Sequence, residues 1–213
     1  MFTVGINGSP RKAGNTARLM ERALKGAGDA GSNTELINLY DLNYKGCVSC
    51  LRCKRKGGSY YGRCAIKDDL TKVLEKIRKA DVLILGSPIY YGTATGEMRS
   101  FLERLLFPYT ASAGTDSSLF QGNLKAGFIY TMGMPRDRFD KLLRQFFEFS
   151  KEMISRNFGS LDVLYSFDTI LTIDHRANVE TRSEQELERK NAEFLADCRK
   201  AYQFGKRLAT QVT

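Results

Sequence analysis

A short apolar run, Phe2 to Asn7, breaks without a spacer into Gly8-Ser-Pro-Arg-Lys-Ala-Gly-Asn-Thr16. Leu19, Met20, Ala23, Leu24 and Ala27 then recur at helical spacing. An apolar run of that length reads as a buried strand, so the chain opens as strand, glycine loop and helix. The loop sits at the strand's carboxyl end, and the helix brings the positive end of its dipole to the same place. Gly8 and Gly14 read as turning points with positive φ that aim successive N–H groups at an anion. Ser9, Asn15 and Thr16 add short polar donors, and Arg11 adds a planar cationic one. The loop has neither the Lys-Ser/Thr ending of a P-loop nor the glycine spacing of a dinucleotide fingerprint, so a monophosphate fits best. Taken alone, the stretch is explained as well by a plain connection with a capping Asn or Thr.

The same order repeats downstream. Thr34 to Leu39 reads as a second strand, and Asp68 as the cap of a helix striped by Leu70, Val73, Leu74 and Ile77. Asp81 to Gly86 is the clearest central strand. It feeds the loop Ser87 to Gly96 and a helix carrying Met98, Phe101, Leu102 and Leu105, which ends before Pro108. Tyr109 to Gln121, rich in Ser, Thr, Ala and Gly, reads as an excursion that covers a site or touches a neighbouring subunit. Lys125 to Thr131 is the fourth strand. One long helix is expected from about Arg136 to Arg156, its Phe139, Leu142, Leu143, Phe146, Phe147 and Phe149 packing a core or subunit contact. Leu161 to Ile173 supplies the last strand and Glu184 to Leu208 the last helix. Five strands alternating with helices make an α/β fold, an open parallel sheet with helices on both faces, within a single domain spanning 1–213.

In such a sheet ligands bind outside the carboxyl ends of the strands, where the order of connection reverses. The loops after strands 1, 3 and 4 meet there. Pro88, Ile89, Tyr90, Tyr91 and Gly92 offer apolar and aromatic surface beside backbone N–H groups, which suits a flat conjugated ring such as a flavin. Thr131 and Gly133 approach from the other side. None of these loops carries an obvious acid, base or nucleophile, as befits chemistry done by a cofactor.

Between residues 44 and 67 the chain concentrates four of its five cysteines as Cys47-x2-Cys50-x2-Cys53 with Cys64 further on. Such crowding argues against a secreted disulfide framework and for metal or redox use. A [4Fe-4S] cluster, zinc and free thiols all remain open. Arg52, Lys54, Arg55, Lys56 and Arg63 are expected to lower the thiol pKa values and to help hold a negatively charged cluster. Cys198 reads as a packing residue, and His175, lacking a spaced partner, receives no catalytic role. The net charge of +9 is spread along helix faces and forms no long run interleaved with aromatics. A solvated surface with no specific partner explains it first, attraction of small phosphorylated molecules or acidic partners second, and nucleic acid is not expected. With neither a leader pattern nor an apolar run of membrane length, the chain is expected to be soluble and cytoplasmic.

Gly8-Ser-Pro-Arg-x-x-Gly-Asn-Thr16, Ser87-Pro-Ile-Tyr-Tyr-Gly92 and Phe101-Leu-Glu-Arg104 together resemble the NAD(P)H-dependent FMN reductase family of flavodoxin-like proteins. The resemblance covers the first two-thirds of the chain. It implies strand order 2-1-3-4-5, with the FMN phosphate at Ser9, Arg11, Asn15 and Thr16 and the ring at Pro88, Ile89, Tyr90, Tyr91 and Gly92. A nicotinamide cofactor or redox protein would be the donor, a small acceptor or redox protein would take the electrons, and the assembly would be a homodimer or homotetramer. Gly46-Cys47, the triple cysteine spacing and Asp68-Asp69 resemble the iron-sulfur flavoprotein branch. That likeness implies a [4Fe-4S] cluster on Cys47, Cys50, Cys53 and Cys64, although the Cys53 to Cys64 interval is longer than the compact motif. An electron carrier without a dedicated organic substrate and a non-catalytic basic binding module are the alternative functions.

Overall fold

The computed structural model describes residues 1–110, 118–170 and 184–212. Five parallel strands form the sheet: β1 (Phe2–Asn7), β2 (Asn33–Asn38), β3 (Val82–Tyr90), β5 (Lys125–Thr131) and β6 (Leu161–Ser166). They lie in the order β2-β1-β3-β5-β6, and a short sixth strand, β4 (Thr93–Ala94), pairs antiparallel with the end of β3. Counting only the parallel strands, this is the expected 2-1-3-4-5. The reversal between β1 and β3 opens the crevice in which loops from both can meet.

The central strand shows why both faces are covered. Leu83 and Leu85 point to one side, packing with Val4, Ile6 and Phe128 against α2 (Leu70–Ile77), α3 (Gly96–Leu106), α4 (Arg136–Leu142) and α5 (Arg144–Phe158). Val82 and Ile84 point to the other, against α1 (Asn15–Asp29) and α6 (Glu184–Thr210). Alternation over two apolar layers reads in sequence as one unbroken hydrophobic run. Cys198 is buried in the α1–α6 layer, the packing role expected of it.

Helices α1 and α6 cross closely enough for backbone to touch backbone. A Cβ on Gly26 would lie 2.0 Å from the carbonyl oxygen of Tyr202, and one on Gly205 would lie 1.8 Å from that of Ala23. Only glycine fits at either position.

Several local expectations are corrected. The long helix after Pro135 is two helices, broken at Leu143 (φ −125°, ψ −21°). Eight residues along a straight helix are separated by about 12 Å of axis. The break lets the rings of Phe139 and Phe147 come within 5.3 Å, and only these two of the six apolar residues are buried. Phe146 and Phe149 are 47% and 58% exposed, so they are surface and not core. The last strand ends at Ser166 and not at Ile173, of which residues 171–173 lie outside the described residues, as does His175. Residues 111–117 of the Tyr109 to Gln121 excursion are also outside them. Its flanks pair with each other through Thr110 and Ser118 and line a cavity with Tyr61 and Arg63. Among the described residues no helix is long and apolar enough to cross a membrane.

Tyr109 and Tyr130 bury their phenols in this core. Loss of solvent pushes Tyr109 up to about 12 and Tyr130 further still. Both are neutral in either state below about pH 10, where their contribution is intact. As pH rises past that value the unfolded chain ionises first, so stability falls. Circular dichroism melts should show stability falling gently from about pH 8.5, where the thiols of the unfolded chain ionise ahead of buried Cys53 and Cys198, and more steeply past about pH 10; a flat profile to pH 11 would contradict the burial.

Candidate cofactor site

The loop after β1 is braced from beneath. Asn7, the last strand residue, accepts the Ser9 N–H at 3.0 Å and donates to Asn38 at 2.9 Å. Ser9 Oγ accepts the Arg11 N–H at 3.1 Å, curling the loop. Neither Gly8 nor Gly14 has positive φ, contrary to expectation. Gly8 is required for close approach instead: its N–H reaches the Gly86 carbonyl at 2.8 Å, and a Cβ there would lie 2.9 Å from the Cβ of Met98. Gly14 is the N-cap of α1 in extended geometry, with no side chain to cap the helix and no acidic residue in the first turn. The first-turn N–H groups are therefore available to an anion.

A cavity of about 480 Å³ opens at this helix end. Ser9, Arg11, Asn15 and Thr16 line it, as do Pro88, Ile89, Tyr90, Thr131 and Gly133. Two predicted side chains are already engaged. The Asn15 amide donates to the Ile170 carbonyl at 2.7 Å, and the Thr16 hydroxyl shares a 2.7 Å hydrogen bond with that of Thr131. These side chains bind loop to loop, and the Ser9 hydroxyl is turned to the Arg11 backbone, so the Arg11 side chain and the helix N–H groups are the donors left at the cavity.

Tyr91 and Gly92 are not brought to the cavity. With φ of 50° and 81° they form the two-residue turn between β3 and β4, and Tyr91 is fully exposed at its tip. What was read as a loop is thus a strand end with a hairpin. Thr95 anchors it: its N–H donates to Ser87 Oγ at 3.1 Å, and its hydroxyl donates to the Gly8 carbonyl at 2.7 Å while capping α3 at the Met98 N–H. Sequence reading missed Thr95, and also a fourth wall made by Thr169 and Ile170. The Thr169 N–H donates to the Met132 carbonyl at 3.0 Å after a turn with Asp168 at φ 52°. Ser166 and Asp168, both turn formers, were the available signal there.

The four clustered cysteines line a second, smaller cavity together with Glu103, Arg104 and Phe107 of the α3 end. All are free thiols. Among the described residues no three ligand-type side chains are gathered closely enough to hold a single metal ion. Ser49 and Leu51 sit at φ 52° and 55°, bending the motif on either side of Cys50. The long interval to Cys64 folds back on itself, with Lys54 bonded to the Phe107 and Thr110 carbonyls and the Gly62 N–H donating to the Cys53 backbone carbonyl at 3.0 Å. Cys64 thereby returns to the other three. The expected lowering of thiol pKa is corrected at Cys53, where burial outweighs Lys54 and pushes the thiol up.

Asp68 is not the cap of α2, because its carboxylate is committed to Arg104 at 2.8 and 3.1 Å. Arg104 is 1% exposed. Burial works against its charge, but hydrogen bonds to Asp68 and the nearby Cys64 and Asp68 outweigh that and hold its pKa above the ordinary value.

Residues 1–158 match the family model described as NADPH-dependent FMN reductase. An iron-sulfur flavoprotein of Methanocaldococcus jannaschii is 38% identical over 104 residues, 49% of this chain and 51% of that protein. One from Archaeoglobus fulgidus is 35% identical over 109 residues, 51% of this chain and 47% of its own. The chain thus spans about half the length of the curated relatives it matches. Among solved structures, an NAD(P)H:quinone oxidoreductase from Methanothermobacter marburgensis superposes with a TM-score of 0.68 at 15% identity, covering 98% of this chain and 96% of that one. At that identity the likeness concerns the fold.

Proposed function

The chain belongs to the NADPH-dependent FMN reductase family, and from that premise we propose that it is an FMN-dependent oxidoreductase drawing hydride from a nicotinamide cofactor. The observation that carries the reading is the uncapped N-terminus of α1 opening into the same cavity as Pro88 to Tyr90 and Thr131 to Gly133. Such a cavity fits FMN: backbone N–H groups and Arg11 for the phosphate, and apolar surface from Pro88, Ile89 and Tyr90 for the ring. Bound there, FMN supplies two-electron chemistry that no side chain of the cavity could perform. The protein's part is to position and to exclude water. Thr131 and Gly133 line the same cavity as Tyr90, and Asn15 ties the Ile170 wall to the start of α1.

The cysteine cavity supports a second element of the same reading. Cys47, Cys50, Cys53 and Cys64 offer four thiols around one small space, a donor set suited to a [4Fe-4S] cluster, which is larger than a single ion and accepts thiolates further apart. The chain would then pass electrons onward to a redox protein or small acceptor, and an electron carrier without a dedicated organic substrate is the neighbouring reading that this cavity favours. The crowding of four unpaired cysteines supports a cytoplasmic setting as part of the same reading. A homodimer or homotetramer would cover the exposed Phe146 and Phe149.

Protein purified without oxygen and supplied with FMN should show flavin absorbance that bleaches on addition of NADPH or NADH. A chain that retains no FMN after gel filtration would overturn the reading.

A further inference from the structure

Resting on the cluster reading, we propose that Arg104 is a positioning residue: it fixes Cys64 as the fourth ligand of the cluster and gives that ligand an N–H···S hydrogen bond that raises the cluster's reduction potential. Ten residues separate Cys64 from Cys53, a length of chain that by itself would not set a thiol in place. Arg104 does. Its Nε–H donates to Cys64 Sγ at 2.9 Å, while Nη1 and Nη2 take both oxygens of Asp68 and Nη1 also reaches the Lys45 carbonyl at 2.9 Å.

The bidentate grip of Asp68 fixes the guanidinium plane, and the fork geometry then aims Nε at the sulfur. The preceding residue, Glu103, accepts the Cys47 N–H at 3.0 Å. One turn of α3 therefore holds the entry of the cysteine segment, at Lys45 and Cys47, and its exit, at Cys64 and Asp68. A purely structural arginine is accounted for by Asp68 and Lys45 alone. The bond to sulfur is the additional observation. A donor on a ligating thiolate draws electron density from the sulfur and favours the reduced cluster, and outer partners of this kind also secure the ligand.

The test compares FMN-loaded wild type, Arg104→Lys, Asp68→Asn and Cys64→Ser after anaerobic reconstitution with iron and sulfide. Wild type should hold about four irons per chain. Arg104→Lys keeps the charge but loses the fork, so the cluster should titrate at a lower potential and lose iron to a chelator about ten- to a hundredfold faster. Asp68→Asn leaves the guanidinium but loosens its plane, so its rate of iron loss should fall between the two, which keeps a readout if Arg104→Lys does not fold. Cys64→Ser should retain about three irons, with the altered paramagnetic signal of an incomplete cube. Unchanged potential and chelator rate in Arg104→Lys and Asp68→Asn, or a full cluster in Cys64→Ser, would overturn the inference while the cluster reading stood. A wild type without iron would remove both.

Discussion

Alanine at position 205 should lower the melting temperature by about 10 °C or more, and valine should leave little folded protein. The added carbon would meet the carbonyl oxygen of Ala23 at 1.8 Å and its carbon at 2.5 Å. Both are backbone atoms of a helix, so no side-chain rotation relieves the overlap. A carbon and a carbonyl oxygen sit no closer than about 3.3 Å, and α6 would have to retreat from α1 by about 1.5 Å. Such a shift loosens the whole layer of Leu19, Met20, Ala23, Ala201, Phe204 and Leu208, which puts the cost at about 3–5 kcal/mol. Gly96→Ala is the matched control, since nothing lies within 4 Å of a Cβ there. Equal melting temperatures for Gly96→Ala and Gly205→Ala would show that the helices do not cross at this distance.

The second large effect has opposite signs in stability and in binding. Ala13 is exposed, lines the cavity and immediately precedes the uncapped start of α1. Aspartate in its place, one residue before the N-cap Gly14, should favour the helix dipole, raising the stability of the flavin-free protein by about 0.3–1 kcal/mol. The same carboxylate would occupy the place of the phosphate and repel its charge. FMN affinity should therefore fall about a hundredfold, the equivalent of about 2.7 kcal/mol. Fluorescence titration of FMN and a thermal melt of the apoprotein check the two arms. Affinity held at the wild-type value in Ala13→Asp would mean that the phosphate does not sit at α1.

The parallel sheet and its switch point were legible because they depend on periodicity. Val82 to Leu85 announces a strand buried on two faces, and the Gly8 to Thr16 stretch announces a turn into a helix. Features made by distant partners were not legible. Gly8 was read for its backbone freedom, whereas the structure uses its missing side chain against Met98, ninety residues away in sequence. Asp68 looks like a helix cap, and its spacing before Leu70 gives no hint that a buried arginine has claimed the carboxylate. Tyr91 and Gly92 belong with the ring only if their stretch is an open loop. They form the two-residue turn of a hairpin and do not line the cavity. The break at Leu143 has no proline or glycine to mark it, and stems from the demand that Phe139 and Phe147 share one hydrophobic site.

Helix α3 is bound at both ends, by Thr95 to the Gly8 carbonyl and by Glu103 and Arg104 to the cysteine segment. Each residue added to a helix rotates the downstream turns by about 100° and advances them by about 1.5 Å. An insertion or deletion of a single residue between Met98 and Leu102 would leave the cap intact and swing Arg104 off Cys64 by more than a quarter turn. Length in this helix is thus as tightly specified as identity, whereas the interval between Lys54 and Arg63 bridges its ends by folding back and has room for chains of other lengths.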